Sequence, residues 1–164
     1  MNDRPSIRVL LIDDEEVLLE YMSKRLLRKG FTVKCAFSGE EAVEAAQKEH
    51  FDVAVVDLKM PGMDGVETQK RLHEIQPLLQ CIVLTGHGSI GSALESGQQD
   101  AFSYLLKPLE YDTLVTSINE AYEKKVQLVN EKFQEEVEEI HRSGLGAKGI
   151  KKEIDKLREK YGIQ

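Results

Sequence analysis

Short apolar runs alternate with longer amphipathic stretches along the first part of this chain. Four runs, at 7–12, 53–56, 81–84 and 102–106, are rich in β-branched or large apolar residues. Strands that are buried on both faces of a sheet have this continuous apolar character. A further run at 31–37 is also predicted as a strand. The pattern therefore predicts five strands.

The stretches between these runs carry apolar residues at helical spacing. Ser38, with Glu41 three residues later, forms a capping-box pattern, and Asp64 is a second N-cap candidate. Gly30 follows the last apolar position of the first stretch and predicts a helix stop there. Helices are predicted over about 15–29, 39–48 and 65–74. Strands that alternate with helices predict an α/β fold with a parallel sheet covered on both faces.

Two later segments depart from this regular alternation. Residues 88–97 are rich in Gly and Ser, and each interior Gly costs a helix about 1 kcal/mol relative to Ala, so this segment is predicted to be a short or mobile helix. Pro108 precedes a final helix that we expect to be capped near Asp112. Because no Gly or Pro occurs in 109–143, that helix could extend for roughly 50 Å.

The C-terminal part of the sequence is predicted to form a helical extension at 123–164, which follows a domain at 1–122. A Gly-rich linker at 143–149 precedes a second amphipathic stretch at 150–161. Two interpretations stay open: a helical hairpin that folds back, or an element that docks a partner or forms a homodimer, since an exposed apolar stripe needs a surface to cover it. No recognisable effector domain, helix-turn-helix pattern or basic recognition surface follows, so we expect no direct nucleic-acid binding.

Charge and cysteine content narrow the class of protein. The formal net charge of −7 argues against nonspecific binding to nucleic acid or to an anionic membrane. No apolar stretch is long enough to span a bilayer. The two cysteines, Cys35 and Cys81, fall inside predicted strands and are expected to be reduced thiols. A cytoplasmic protein without a disulfide framework is predicted.

Residues suited to phosphate chemistry follow the four apolar runs. They are Asp13 and Asp14, Asp57, Thr85 and Lys107. The carboxyl ends of parallel strands share one edge of the sheet, and ligands bind in the crevice there. Three carboxylates in one pocket repel each other unless a cation is present, and an oxygen-lined site on a rigid edge suits Mg²⁺. The strand ends therefore predict a site for Mg²⁺ and a phosphoryl group.

Each polar residue at this edge has a plausible chemical task. Asp57 is ionised at neutral pH and could attack a phosphoryl donor without a general base, which forms an acyl phosphate. Thr85 could donate a hydrogen bond to one phosphoryl oxygen, and the Lys107 ammonium could contact another. A metal ion and the lysine would together offset the charge on the transferring group.

With these motifs in order and at family spacing, the chain resembles a response regulator receiver domain of two-component signalling over residues 7 to about 122. The matching motifs are Leu11–Glu15, Val56–Gly65, Leu84–Gly88 and Tyr104–Pro108. The resemblance implies a flavodoxin-like, doubly wound five-stranded parallel sheet with strand order 2-1-3-4-5. It also implies a phosphohistidine donor on a sensor histidine kinase or a histidine phosphotransfer protein.

The same resemblance implies a role for each site residue. Asp57 is the implied phosphoacceptor, and it ligates Mg²⁺ together with the Asp14 carboxylate and the backbone carbonyl of Lys59. Asp13 is implied to act mostly through metal-bound water.

Further roles implied by the resemblance concern the fourth and fifth strands. Thr85 and Lys107 contact the phosphoryl group, and Thr85 and Tyr104 change position on activation. The Lys107-Pro108 peptide bond is implied to be cis.

Three functions are compatible with the sequence. The first is a phosphorylation-controlled signalling protein that catalyses only its own phosphorylation and dephosphorylation, and that acts by binding a partner or by phosphorelay. The second is a phosphohydrolase like the haloacid dehalogenases, which need an acidic residue two positions beyond the nucleophile, where this chain has Lys59. The third is a phosphorylation-independent scaffold that acts through its helical tail.

Overall fold

The computed structural model describes residues 6–86 and 101–163, and this part of the chain contains one five-stranded sheet. All neighbouring strands are parallel, in the order β2-β1-β3-β4-β5. The predicted doubly wound α/β fold and its strand order are confirmed. The segment 88–97 lies outside the described residues. The strands are β1 (Arg8–Ile12), β2 (Thr32–Ala36), β3 (Val53–Asp57), β4 (Gln80–Thr85) and β5 (Ser103–Leu106).

Five helices are described, and their ends follow local capping chemistry. Gly30 ends the first with φ of 106°, and Ser38 and Asp64 accept hydrogen bonds from the backbone N–H groups three residues later. The reciprocal bond of Glu41 goes to the N–H of Phe37, one residue before the cap. The helices are α1 (Glu16–Lys29), α2 (Gly39–Lys48), α3 (Gly65–Ile75), α4 (Tyr111–Arg142) and α5 (Ala147–Tyr161).

The long predicted helix is observed as α4, which runs without interruption for 32 residues. Its first residue is Tyr111, so Asp112 lies in the first turn and is not the cap. An acidic side chain is favourable there, because it lies near the unpaired N–H groups of the helix end. Within the described residues no helix has both the length and the apolar content that crossing a membrane requires.

The sheet is buried on both faces. Leu10 and Ile12 of β1 point to one side, where they join a core cluster that includes Ala42 of α2 and Leu72 of α3. The core cluster on the other side contains Val9 and Leu11 of β1, Leu26 of α1, and Leu114 and Ile118 of α4. Because both faces are packed, the carboxyl ends of the strands are held at fixed positions along one edge.

The chain divides into two compact units, Met1–Glu123 and Lys124–Gln164. The first unit contains the sheet. In the second, the end of α4 and α5 form an antiparallel helical hairpin around a turn in which Gly144 has φ of 78°. The Phe133 and Tyr161 rings meet edge to face with centroids 6.4 Å apart, and Lys160 Nζ lies 3.0 Å from Glu136 Oε1.

Gly65 begins α3 directly against the end of β3. Its N–H donates to the Leu58 carbonyl at 3.1 Å, and a Cβ at this position would overlap the Asp57 carbonyl oxygen and lie 2.7 Å from the Leu58 Cα. The obstructing atoms belong to backbone, so they cannot rotate away.

We therefore expect Gly65→Ala to lower the free energy of unfolding by about 1–3 kcal/mol, the usual cost of overpacking. Thermal unfolding monitored by circular dichroism measures it. Gly86→Ala is the matched control, because no atom of the described residues lies within 4 Å of a Cβ at Gly86 and its φ is not in the left-handed region. Equal melting temperatures for the two variants would contradict this account of Gly65.

Candidate functional site

The carboxyl ends of β1 and β3 bring three carboxylates together. Asp57 is the last residue of β3, and Asp13 and Asp14 directly follow β1, whose Ile12 pairs with Val56. One carboxylate oxygen of each aspartate lies within 4.8 Å of those of the others. Asp13 and Asp57 are buried, at 1% and 7% exposure, and Asp14 is exposed. The pocket therefore has two buried acids and one at the solvent side.

Two backbone amides orient the buried carboxylates. The Glu15 N–H donates to Asp13 Oδ1 at 3.0 Å, and the Lys59 N–H donates to Asp57 Oδ1 at 3.3 Å. In both cases the donor is two residues beyond the aspartate. This is the local bond that Asp side chains commonly make in turns. Each carboxylate is thus held by its own loop through one oxygen.

Lys107 binds the other oxygens of the same two carboxylates. Its Nζ lies 3.0 Å from Asp13 Oδ2 and 3.3 Å from Asp57 Oδ2. The residue directly follows β5, and its backbone N–H donates to the Thr85 carbonyl at 2.9 Å. The Lys107-Pro108 peptide bond is cis, as the resemblance implied. One ammonium therefore bridges two acids.

The pKa shifts show that this bridge does not fully balance the charge. Burial raises the pKa of Asp57, and the neighbouring Asp13 charge raises it further, against the opposing effects of Lys107 and the Lys59 N–H. Burial by itself lowers the pKa of Lys107, but its bonds to Asp13 and Asp57 outweigh that effect and the pKa is raised. Ionised Asp57 is therefore less favourable in the folded protein than in water, which favours the binding of a further cation.

Thr85 lies at the same edge, one strand further along the sheet. It follows Leu84, the register partner of Asp57, and the Leu58 N–H donates to the Leu84 carbonyl at 2.9 Å. The Thr85 side chain is buried, and its hydroxyl donates to the Gly86 carbonyl at 3.3 Å. The structure therefore places Thr85 beside the carboxyl end of β3. Its hydroxyl makes a long, weak hydrogen bond to the Gly86 carbonyl.

Tyr104 lies on β5 opposite Val83, two residues before the end of the strand. The residue is half-buried, and its hydroxyl oxygen is buried. The structure shows where this side chain stands, and its movement on activation stays a prediction.

Two contributions to this site were missed by the sequence reasoning. The Asp13 and Asp57 bonds to N–H groups two residues on could have been expected, because Asp makes such bonds in turns. The close approach of Gly65 to the Asp57 carbonyl depends on how α3 packs against β3. In the sequence, the only indication of this contact is that Gly65 directly follows Asp64, the predicted N-cap.

Comparison with known proteins agrees with this geometry. The model of the response regulator receiver domain family matches residues 9–119. The transcriptional regulatory protein GlrR of Escherichia coli K12 is 35% identical over 137 residues, which are 84% of this chain and 31% of that protein. The C4-dicarboxylate transport transcriptional regulatory protein DctD of Rhizobium meliloti is 32% identical over 159 residues, 97% of this chain and 34% of that protein.

A solved structure shows the same fold. The response regulator receiver domain protein of Clostridium thermocellum has a TM-score of 0.69 and 32% identity, and the match covers 74% of this chain and 98% of that one. The chain spans about a third of the length of GlrR and DctD. With its parallel sheet, its three clustered aspartates and this family match over most of its length, the chain belongs to the response regulator receiver domain family.

Proposed function

We propose that this protein is a phosphorylation-controlled signalling protein that accepts a phosphoryl group on Asp57. The observation that carries the proposal is the bridged cluster, in which Lys107 Nζ contacts both Asp13 and Asp57 while Asp14 completes a group of three acids. The proposed donor is a phosphohistidine of a sensor histidine kinase or a histidine phosphotransfer protein. Family membership supports this donor class.

The reaction needs little more than a positioned carboxylate. An Asp57 oxygen attacks the phosphorus, and the bond between phosphorus and the donor imidazole nitrogen breaks, with its electron pair going to that nitrogen. The products are a free histidine and an acyl phosphate on Asp57. Later attack by water on phosphorus releases inorganic phosphate and restores the carboxylate. No general base is required for the first step, because the nucleophile is a carboxylate paired with the Lys107 ammonium.

Lys107 and Thr85 are proposed to bind the phosphoryl oxygens. Lys107 is held by Asp13 at 3.0 Å, so its ammonium can move from Asp57 to a phosphoryl oxygen and still keep one carboxylate partner. The Thr85 hydroxyl can exchange its 3.3 Å bond to the Gly86 carbonyl for a stronger bond to a charged oxygen. Both groups stabilise the charge that the phosphoryl group brings into the pocket.

The acidic pocket fits Mg²⁺. All its side-chain donors are carboxylate oxygens, and the exposure of Asp14 leaves solvent on one side, as suits an ion that retains several waters. Asp13, Asp14 and Asp57 would hold the ion, and the backbone carbonyl of Lys59 is the further predicted ligand. When bound, Mg²⁺ supplies positive charge that neutralises carboxylate and phosphoryl oxygens.

The alternatives lack a comparable supporting observation. A phosphohydrolase of the haloacid dehalogenase type needs an acid two residues after the nucleophile, and Lys59 stands there. A phosphorylation-independent scaffold would not need Lys107 between two buried acids. We therefore propose that the chain catalyses only its own phosphorylation and dephosphorylation.

The output is proposed to be protein binding, with the C-terminal helices as the binding element. GlrR and DctD are named as transcriptional regulatory proteins, so the comparisons do not support the expectation that direct nucleic-acid binding is absent. Location in the cytoplasm and the absence of membrane association stay predictions.

Phosphorylation of Asp57 can be tested by intact-mass spectrometry after incubation with Mg²⁺ and acetyl phosphate. We expect the wild-type chain to gain one phosphoryl group and Asp57→Asn to gain none, since an amide is not a nucleophile here. Asp155→Asn, at an exposed position of α5, is the matched control and should behave as wild type. Phosphorylation of Asp57→Asn to the wild-type extent would disprove the proposed acceptor.

The metal site predicts a stability change that needs no phosphoryl donor. The Tm of the wild-type chain should be higher in Mg²⁺ than in EDTA. At a free Mg²⁺ concentration of about a hundred times the Kd, the free energy of unfolding should rise by about 2.7 kcal/mol. Because the raised pKa of Asp57 means that its charge costs stability at neutral pH, Asp57→Asn should melt at a higher temperature than wild type in EDTA.

Differential scanning calorimetry at constant ionic strength, with NaCl as the salt control, makes both comparisons. Asp57→Asn should also show a smaller rise in Tm with Mg²⁺ than wild type does. Identical Mg²⁺ responses in the two proteins would count against Asp57 as a ligand.

A further inference from the structure

The loop at 58–64 connects β3 to α3 and contains Lys59, whose backbone carbonyl is a predicted ligand of the metal. The loop is closed at its base by the Gly65 N–H, which donates to the Leu58 carbonyl at 3.1 Å. Lys59 is exposed, and its own N–H makes a long bond of 3.3 Å to Asp57 Oδ1. A carbonyl ligand has no side-chain torsion, so its position is set by the backbone of the loop. The contacts that hold this loop therefore affect the proposed metal site.

Met60 anchors the near side of the loop, directly after Lys59. Its side chain is buried and belongs to the core cluster that contains Ala36 of β2 and Ala42 of α2. Close packing in a core holds a side chain, and with it the backbone to which it is attached, in one position. The two residues that follow Met60 are exposed. The core thus fixes the loop on one side of an exposed turn.

The first turn of α2 holds the far side of this exposed turn. Glu40 Oε1 accepts a hydrogen bond from the Met63 N–H at 3.3 Å. The same oxygen lies 3.4 Å from the position that a Cβ on Gly62 would occupy, and Gly62 has φ of 76°. A hydrogen bond to a charged acceptor is stronger than one to a neutral acceptor. One carboxylate of α2 therefore lies beside two successive residues of the loop and binds the backbone of the second.

Gly39, the first residue of α2, packs closely against the same loop. A Cβ at Gly39 would overlap Thr68 Oγ1 and would lie 3.0 Å from the Cβ and Sδ atoms of Met63. The Thr68 hydroxyl donates to the Asp64 carbonyl at 2.7 Å, so moving it aside would break that bond. The lack of a side chain at Gly39 therefore lets the start of α2 come close enough for Glu40 to bind the Met63 backbone.

The other two glutamates of α2 have partners within the helix or directly before it. The Glu41 carboxylate accepts a hydrogen bond from the Phe37 N–H at 2.8 Å. Glu44 pairs with Lys48, one turn further along the helix, at 2.9 Å. Glu40 is therefore the glutamate of α2 whose carboxylate reaches across to the loop that carries Lys59.

We propose that Glu40 is a positioning residue for the magnesium site. By binding the Met63 N–H it holds the far side of the loop, and together with buried Met60 it restricts the positions that the Lys59 carbonyl can take. Groups that hold metal ligands in place change the affinity for the ion without touching it. The task of Glu40 is to accept a hydrogen bond, so an uncharged amide oxygen can replace the carboxylate.

This inference rests on the proposed function and deepens it, because it adds to the site a residue of a helix that supplies none of the predicted ligands. The failures of the two proposals are distinguishable. A wild-type chain that binds no Mg²⁺ would overturn both. A wild-type chain that binds Mg²⁺ and is phosphorylated, together with a Glu40→Ala variant that binds the ion equally well, would overturn this inference alone.

Titration of the isotope-labelled full chain with Mg²⁺, followed by NMR of its backbone amides, tests the proposal. Glu40→Ala should raise the Kd for Mg²⁺ about tenfold, the lower end of the effect of such supporting residues. Glu40→Gln should stay within about twofold of wild type, since its amide oxygen still accepts the bond. In the metal-free proteins, the Met63 amide should exchange its hydrogen faster in Glu40→Ala than in wild type or Glu40→Gln.

Phosphorylation by acetyl phosphate gives a second readout. Glu40→Ala should need more Mg²⁺ for its half-maximal rate but should reach the wild-type rate at saturating Mg²⁺, a split that a general loss of stability would not produce. The matched control is Glu44→Ala, which removes the same charge from another exposed position of α2 and should leave the Kd unchanged. Equal weakening in Glu40→Gln and Glu40→Ala, or in Glu44→Ala and Glu40→Ala, would overturn the proposal, because charge and not the bond to the loop would then be responsible.

Discussion

The site depends on one constraint: two acids that repel each other are held on adjacent buried strand ends. Asp13 and Asp57 lie at 1% and 7% exposure because β1 and β3 are neighbours packed on both faces. The sheet fixes their separation, and the local N–H bonds fix their orientation. The negative charge of the two acids is not fully balanced, because Lys107 neutralises only part of it. This imbalance favours the binding of a cation, and in the proposed function that cation and Lys107 together offset the charge of the phosphoryl group.

Lys107 has a different relation to each acid. The contact with Asp13, at 3.0 Å, is shorter than the contact with Asp57, at 3.3 Å. In the proposed function Asp13 keeps its contact with the ammonium, while Asp57 is the acid that reacts. Lys107 is half-buried, and without Asp13 its ammonium would have no carboxylate partner in this pair of acids once Asp57 had reacted as proposed.

Local signals in the sequence were sufficient for much of the fold. Ser38, Asp64 and Gly30 act through atoms within a few residues of themselves, and the structure confirms all three helix ends. The start of α4 could not be predicted exactly from Asp112. Several neighbouring residues can begin a helix, and the local sequence does not choose between them. The strand-end acids could be placed at one edge because parallel sheets impose it. The Gly65 contact and the hairpin register depend on packing between elements distant in sequence, and periodicity alone does not specify them.

The bridge between Asp13 and Lys107 joins residues that are 94 positions apart, and β3 and β4 lie between their strands. Contacts of such sequence separation carry a large loop-closure entropy cost before they stabilise the chain. A chain emerging from the ribosome thus displays Asp13 and Asp57 well before it can supply Lys107. The complete site is thus a property of the finished sheet, and a chain that is still incompletely folded holds the two acids without the ammonium that bridges them.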